Sequence, residues 1–278
     1  MAYVAAVQMV SSANLDYNLS QLDTFFMQAC ESGVELLVLP ENFAFMGMND
    51  ADKYHLAEDE GQGKIQQTIS QLALRYGIWV IAGTIPIKYT ASRVKAASMV
   101  YDNKGVLVAR YDKIHLFDVR VSEHEAHQES LTVEPGERIV LVDTPVGRVG
   151  LSVCYDLRFP ELYRQLAIQG AEIFVVPSAF TAVTGAAHWE VLLRARAIEN
   201  LCYVLAPNQG GHHENGRYTY GHSMIIEPWG AVIAEELGQD KQGGGIIVAD
   251  IDLHRLTQLR RQFPCHEHHV LHSGKVPL

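Results

Sequence analysis

The stretches GVELLVLP (residues 33–40) and GAEIFVVP (residues 170–177) match in character place by place. Each opens on glycine, carries a glutamate in third place, runs through four apolar residues and stops at proline. A short apolar run bounded by such breakers reads as a buried strand. The surroundings repeat as well. Before the first stretch lie a strand over 3–9 and a helix over 18–30, with Leu19, Leu22, Phe25, Phe26 and Ala29 on one face. Before the second lie a strand over 149–153 and a helix over 161–169. Each is followed by a helix (64–76 and 189–200) and a further strand (78–83 and 201–206). Each half then closes with a hairpin: MVYDNKGVLVAR (99–110) parallels MIIEPWGAVIAE (224–235). Alternating strands and helices indicate an α/β class. The repetition predicts two similar half-sheets packed face to face with helices outside, although buried strands of one class also resemble each other. No Pro/Ser-rich linker separates the halves, so residues 1–278 are expected to form one domain. The polar, histidine-rich tail over 252–278 is expected to pack on a neighbouring subunit.

Composition narrows the function. The chain is 48% hydrophobic and 19% charged, enough apolar content to bury a large core. It carries 22 basic and 32 acidic residues, a net charge of −10, which argues against a nucleic-acid or anionic membrane surface as main partner. The apolar runs fall far short of the ~20 residues that span a bilayer. The first Lys or Arg is Lys53, so the basic start of a secretory signal is missing. Cys30, Cys154, Cys202 and Cys265 are widely spaced, which fits reduced thiols in a cytoplasmic protein better than a disulfide framework. His212-His213, His124/His127 and His266/His268/His269 invite a metal reading, but none has HExxH spacing, and no metal or other cofactor is expected.

Three reactive residues stand at the ends of apolar strands. Glu41 directly follows the run that ends at Pro40. Desolvation there would raise its pKa and make it a better base, while a turn or N-cap residue is the plainer reading. Lys113 lies among Tyr111, Ile114, Leu116 and Phe117. It is either a fixed charge for an oxyanion or an edge lysine lying along apolar surface. Cys154, in VGLSVCYDLRFPEL (149–162), falls between a strand and a helix start marked by Pro160 and Glu161. That setting exposes a sulfur to backbone N–H groups and a helix N-terminus, which favours a low-pKa, oxidation-prone thiolate nucleophile. A buried packing cysteine is the alternative.

Together Glu41, Lys113 and Cys154 resemble the catalytic set of the nitrilase superfamily, the carbon–nitrogen hydrolases, with the match reaching to about residue 252. The resemblance implies a four-layer αββα sandwich of two facing mixed sheets with an internal pseudo-twofold, assembled as a homodimer. It implies Cys154 as nucleophile, Glu41 as base and then acid, and Lys113, with the Tyr155 backbone N–H, as oxyanion stabiliser. It also implies Glu129 as the glutamate that positions the lysine, although Glu123, Glu125 and Glu134 lie close by. Within the family the resemblance is to amidases acting on amides of 2-oxoglutarate. One branch releases cysteinylglycine; the other releases ammonia from 2-oxoglutaramate. Arg158 is then expected to pair the substrate carboxylate, with Phe180 and Thr184 lining the same pocket. The run GGHHENGR (210–217) resembles the first branch, which suggests that its histidines and Arg217 accommodate the dipeptide; an ordinary exposed loop is the alternative. A non-catalytic binding protein is the rival from another class.

Overall fold

The computed structural model describes residues 2–121, 123, 126–236 and 244–268. The first half of the chain runs β1 (Ala2–Gln8), α1 (Leu15–Glu31), β2 (Val34–Val38), a short α2 (Lys53–Leu56), α3 (Lys64–Tyr76), β3 (Trp79–Thr90), β4 (Arg93–Tyr101) and β5 (Leu107–Asp112). A connection carries the ribbon β6 (Asp118–Arg120) and β7 (Ala126–Gln128). The second half runs β8 (Leu141–Thr144), β9 (Gly147–Leu151), α4 (Pro160–Ile168), β10 (Ile173–Val175), α5 (Ala182–Asn200) and β11 (Tyr203–Ala206). The ribbon β12 (Gly210–His212) and β13 (Tyr218–Tyr220) precedes the hairpin β14 (Met224–Ile226) and β15 (Val232–Glu235). The chain then returns through β16 (Gly245–Ile251) and α6 (Leu253–Gln262).

The strands form two six-stranded sheets, ordered β16-β1-β2-β3-β4-β5 and β8-β9-β10-β11-β14-β15. The pairing sense repeats. In each sheet three neighbouring strands are parallel, a hairpin adds two antiparallel strands, and one antiparallel strand closes the other edge. The strands GVELLVLP and GAEIFVVP fall at equivalent places, in β2 and β10, and the two similar hairpins are β4–β5 and β14–β15. The internal repeat read from the sequence is therefore present in the topology.

Side-chain alternation builds the layers. Val4, Ala6, Leu36, Val38 and Ile81 of the first sheet pack with Val149, Leu151, Ile173, Val175 and Leu205 of the second. Ala5, Val7, Leu37, Val80 and Ala82 point the other way, onto Leu22, Phe26, Ile65 and Ile69 of α1 and α3. α4 and α5 cover the far face of the second sheet through Leu162, Leu166, Trp189 and Leu193. This is the αββα sandwich. Parallel strands covered on both faces carry apolar residues at every place, which is why their sequences lack alternation. Each Leu or Phe so buried contributes about 1.5–3 kcal/mol.

The structure extends two elements. β3 was expected to end at 83 but continues to Thr90 through Pro86. Beyond Ile81 it no longer pairs with β2, and Lys88 N donates to Glu58 O on that side. Glu58 N donates to Pro86 O on the same side, so the missing N–H of Pro86 faces away from β4 and costs no bond of the β3–β4 ladder. α5 begins at Ala182, seven residues before the expected start, because the Thr181 side chain accepts from Thr184 N and caps it. Its first turns read poorly because they include Gly185, where a Cβ would meet Tyr220 Cβ at 2.3 Å; glycine there admits β13.

α6 and the residues after it are held by their own chain: Leu256 is buried, the Arg260 guanidinium donates to Leu201 O and Ala171 O, and the His266 ring lies 2.6 Å from Asn200 O. Residues 269–278 of the expected subunit-packing tail lie outside the described residues. Among the described residues no helix is long and apolar enough to cross a membrane.

Candidate active site

Glu41, Lys113, Cys154 and Glu129 meet in one cavity at the C-terminal ends of the parallel strands. Glu41 follows β2, and its place is fixed from behind. Gln209 Nε2 donates to Glu41 O at 3.0 Å, and Asn42 N donates to Thr84 Oγ1 at 2.9 Å. Gly83 of β3 also passes so close that a Cβ there would lie 1.8 Å from Pro40 O. Only glycine lets β3 support the bend that presents Glu41. Lys113 follows β5 and is anchored by backbone bonds to Ala96 and Gly136.

The lysine is the hub of the charge arrangement. It is 2% exposed, with Nζ 2.8 Å from Glu41 Oε1, 2.8 Å from Glu129 Oε2 and 3.1 Å from Glu129 Oε1. The alternative of an edge lysine lying along apolar surface is therefore excluded. Burial alone would drive the ammonium to neutrality, but Glu129, Glu41 and Cys154 hold its pKa well above the ordinary lysine value. Burial likewise opposes the Glu129 carboxylate, yet Lys113 and the Phe117 N–H hold its pKa below the usual carboxylate value. Phe117 N donates to Glu129 Oε2 at 2.8 Å. Of the other candidate acids, Glu134 pairs with Arg93, Glu123 is exposed and Glu125 lies outside the described residues.

Cys154 sits at a sharp turn after β9 with φ +49°, a left-handed conformation rare outside glycine. Its N–H donates to Pro177 O at 3.0 Å, tying the elbow to the end of β10. Cys154 begins a 3-10 turn, and the helix proper starts only at Pro160. The sulfur faces the Ala179 N–H and Glu41. The exposed, low-pKa thiolate expected from the sequence is corrected here. Cys154 is only 7% exposed, and burial, reinforced by Glu41, pushes its thiol pKa well above the ordinary value against the opposing pull of Lys113. The arrangement is a neutral thiol beside a carboxylate that can take its proton.

Asp156 holds the elbow, a part that the sequence reading left unassigned. Fully buried, it accepts from Val153 N at 2.8 Å, Tyr111 Oη at 2.7 Å and His115 N at 3.0 Å, with the His115 ring at 2.7 Å. It thus joins the Cys154 turn to the segments on both sides of Lys113. Its place two residues after Cys154 was the available signal. Asp156→Ala strands several buried donors and is expected to cost about 3–5 kcal/mol. Urea denaturation checks this.

The substrate-side residues divide. Tyr155, Phe180 and Thr184 line the cavity. Arg158 does not. Its guanidinium lies 5.9 Å from the Tyr155 ring centre and 5.8 Å from that of Phe180, the two rings that do line it, with Nη2 3.3 Å from His188 Nδ1. The histidines of the 210–217 run also stand outside. His213 is buried between Ser11 O and Thr219 Oγ1, and His212 stacks on Tyr218. Arg217 does line the cavity, as does Lys53, which the sequence reading passed over. Among the described residues no three His, Cys, Asp or Glu side chains are grouped to hold a metal ion.

With this geometry in place, the comparison with known proteins is direct. The family pattern of the carbon-nitrogen hydrolases matches residues 3–261. This chain belongs to that family. It is similar to a protein named deaminated glutathione amidase from Yersinia enterocolitica, 43% identical over 279 residues, 99% of this chain and 96% of that protein. The crystal structure of the Caenorhabditis elegans NitFhit protein superposes with a TM-score of 0.89 at 38% identity, covering 97% of this chain and 66% of that one. An amidase from Nesterenkonia sp. AN1, solved with acrylamide added at its active-site cysteine, superposes at 0.78 with 25% identity over 95% of this chain and 98% of that one. As a carbon–nitrogen hydrolase, this chain is an amidase that acts on carbon–nitrogen bonds other than peptide bonds.

Proposed function

We propose that this carbon–nitrogen hydrolase cleaves the amide of deaminated glutathione to 2-oxoglutarate and cysteinylglycine through a thioester on Cys154. The observation that carries the chemistry is the buried Lys113 Nζ held 2.8 Å from Glu41 beside the Cys154 thiol. The substrate reading is supported by the full-length similarity to the amidase named above.

In the first half-reaction sulfur attacks the amide carbonyl while the thiol proton passes to Glu41. The oxyanion that forms is stabilised by Lys113 and the Tyr155 N–H. Glu41 returns the proton to the leaving nitrogen, the C–N bond breaks, and cysteinylglycine departs. In the second half-reaction Glu41 takes a proton from water and the resulting hydroxide attacks the thioester. The C–S bond breaks, and sulfur recovers the proton from Glu41. Glu129 acts through Lys113, keeping it charged and aimed. Phe180 and Thr184 border the acyl chain.

The test is release of 2-oxoglutarate from deaminated glutathione and from 2-oxoglutaramate, compared as kcat/KM. Preference for deaminated glutathione is expected. Preference for 2-oxoglutaramate would place the chain in the ammonia-releasing branch.

A further inference from the structure

The cavity holds more positive charge than the hydrolysis uses. Lys113 is committed to Glu41 and Glu129, yet Lys53 from α2 and Arg217 from the turn before β13 also line the cavity. Among the described residues neither Lys53 nor Arg217 enters an ion pair. Asp50 and Glu129 are the carboxylates whose charge reaches Lys53, and Glu129 is already engaged by Lys113 and the Phe117 N–H. Burial lowers the Lys53 ammonium pKa from its ordinary value, and Lys113 and Arg217 add to that against the pull of Glu129 and Asp50. Two cations sharing a cleft without a dedicated anion are stabilised by an arriving carboxylate.

Their position says which carboxylate. The wall that carries them starts at Glu41 itself and continues through Asn42, Met46 and Asn49 to Lys53. Arg217 is fixed to this wall: Asn215 Nδ2 donates to Gly47 O at 2.7 Å, and Arg217 Nη1 lies 3.9 Å from Met46 Sδ. Glu41 is the acid that protonates the leaving nitrogen, so the departing amine lies along its wall. The acyl chain remains on sulfur beside Ala179 and Phe180.

We propose that Lys53 and Arg217 form a carboxylate subsite for the leaving half of the substrate, selecting amides whose amine product is peptide-like and ends in a free carboxylate. The assignment rests on the reading of the chain as an amidase of deaminated glutathione. It keeps Arg217 from the expectation for the 210–217 run and puts Lys53, from the other half of the chain, in place of the histidines.

The experiment measures kcat/KM on deaminated glutathione, on its C-terminal carboxamide and on 2-oxoglutaramate, for wild type, Lys53→Met and Arg217→Met. The ratio of deaminated glutathione to 2-oxoglutaramate is expected to fall about 10- to 50-fold in each variant, mostly through KM, as for loss of a charge-assisted contact. The wild-type enzyme is expected to disfavour the carboxamide by a similar factor, and the variants to lose that discrimination. Because each ratio is taken on one preparation, loss of folded protein cancels. An unchanged ratio overturns the subsite. So does an equal fall on both substrates, which would assign the pair to the acyl carboxylate or to the chemistry. Failure of the substrate reading is visible in wild type alone, as preference for 2-oxoglutaramate, and removes the subsite with it.

Discussion

Cys154→Ala is expected to lower 2-oxoglutarate release by about 10⁴-fold or more while leaving the fold intact, because the attacking atom is gone and the remaining groups retain only binding and oxyanion stabilisation. The environment of the thiol adds a second, signed expectation. Burial and the Glu41 carboxylate both raise the Cys154 pKa, so the resting sulfur is protonated at neutral pH. Glu41→Gln removes one of these causes. It should therefore lower the thiol pKa and speed alkylation by iodoacetamide at a fixed pH. The same substitution should slow hydrolysis by about 10²–10⁴-fold, since no base takes the proton during attack and no acid protonates the leaving amine. Alkylation and turnover moving in opposite directions would distinguish a general base from a residue that merely holds the site together. Stopped-flow alkylation and steady-state assays on one preparation provide the comparison.

Lys113→Met is expected to be nearly as damaging to activity and much more damaging to stability. Loss of the oxyanion donor should lower kcat by about 10²–10³-fold. Methionine also leaves Glu41 and Glu129 buried without their shared cation, at a cost of about 3–5 kcal/mol when one partner of a buried pair is removed. The penalty should depend on pH, and the sign follows from the shifts. In wild type the Glu129 pKa is depressed, so its contribution to stability is present above the unfolded-state pKa and is lost as pH falls through the folded-state value. The Lys113 pKa is raised, so its contribution is complete at every pH below the ordinary lysine value. In Lys113→Met the cation that depressed Glu129 is absent, burial raises the carboxyl pKa instead, and acid favours the folded state. The gap in Tm between wild type and variant should therefore narrow from pH 7.5 to pH 5. A gap that widens toward acid would contradict the assigned ion cluster.

The sandwich was legible because its two strongest strands are nearly duplicates and because buried parallel strands are written as unbroken apolar runs. Glu41, Lys113 and Cys154 stood out for the same reason: each is a reactive side chain placed where such a run stops. Other parts depend on contacts that local sequence does not encode. Asp156 joins its near neighbour Val153 to Tyr111 and His115, 45 and 41 residues earlier in the chain, and nothing in periodicity marks it as their common partner. Lys53 lies in a polar stretch without regular period and enters the cavity only because the chain after Glu41 folds back over it. Arg158, expected from the resemblance to pair the substrate carboxylate, rests its guanidinium against Tyr155 and Phe180, two rings that line the cavity. His213, a polar residue in a loop that reads as a ligand, is a buried brace between Ser11 and Thr219.

The most direct test of the central claim is to quench the wild-type enzyme during turnover of deaminated glutathione and examine its peptides by mass spectrometry. The account predicts a 2-oxoglutaryl adduct on the peptide that contains Cys154, absent from the Cys154→Ala protein. Turnover that persists in Cys154→Ala, with no adduct on that peptide in wild type, would contradict it.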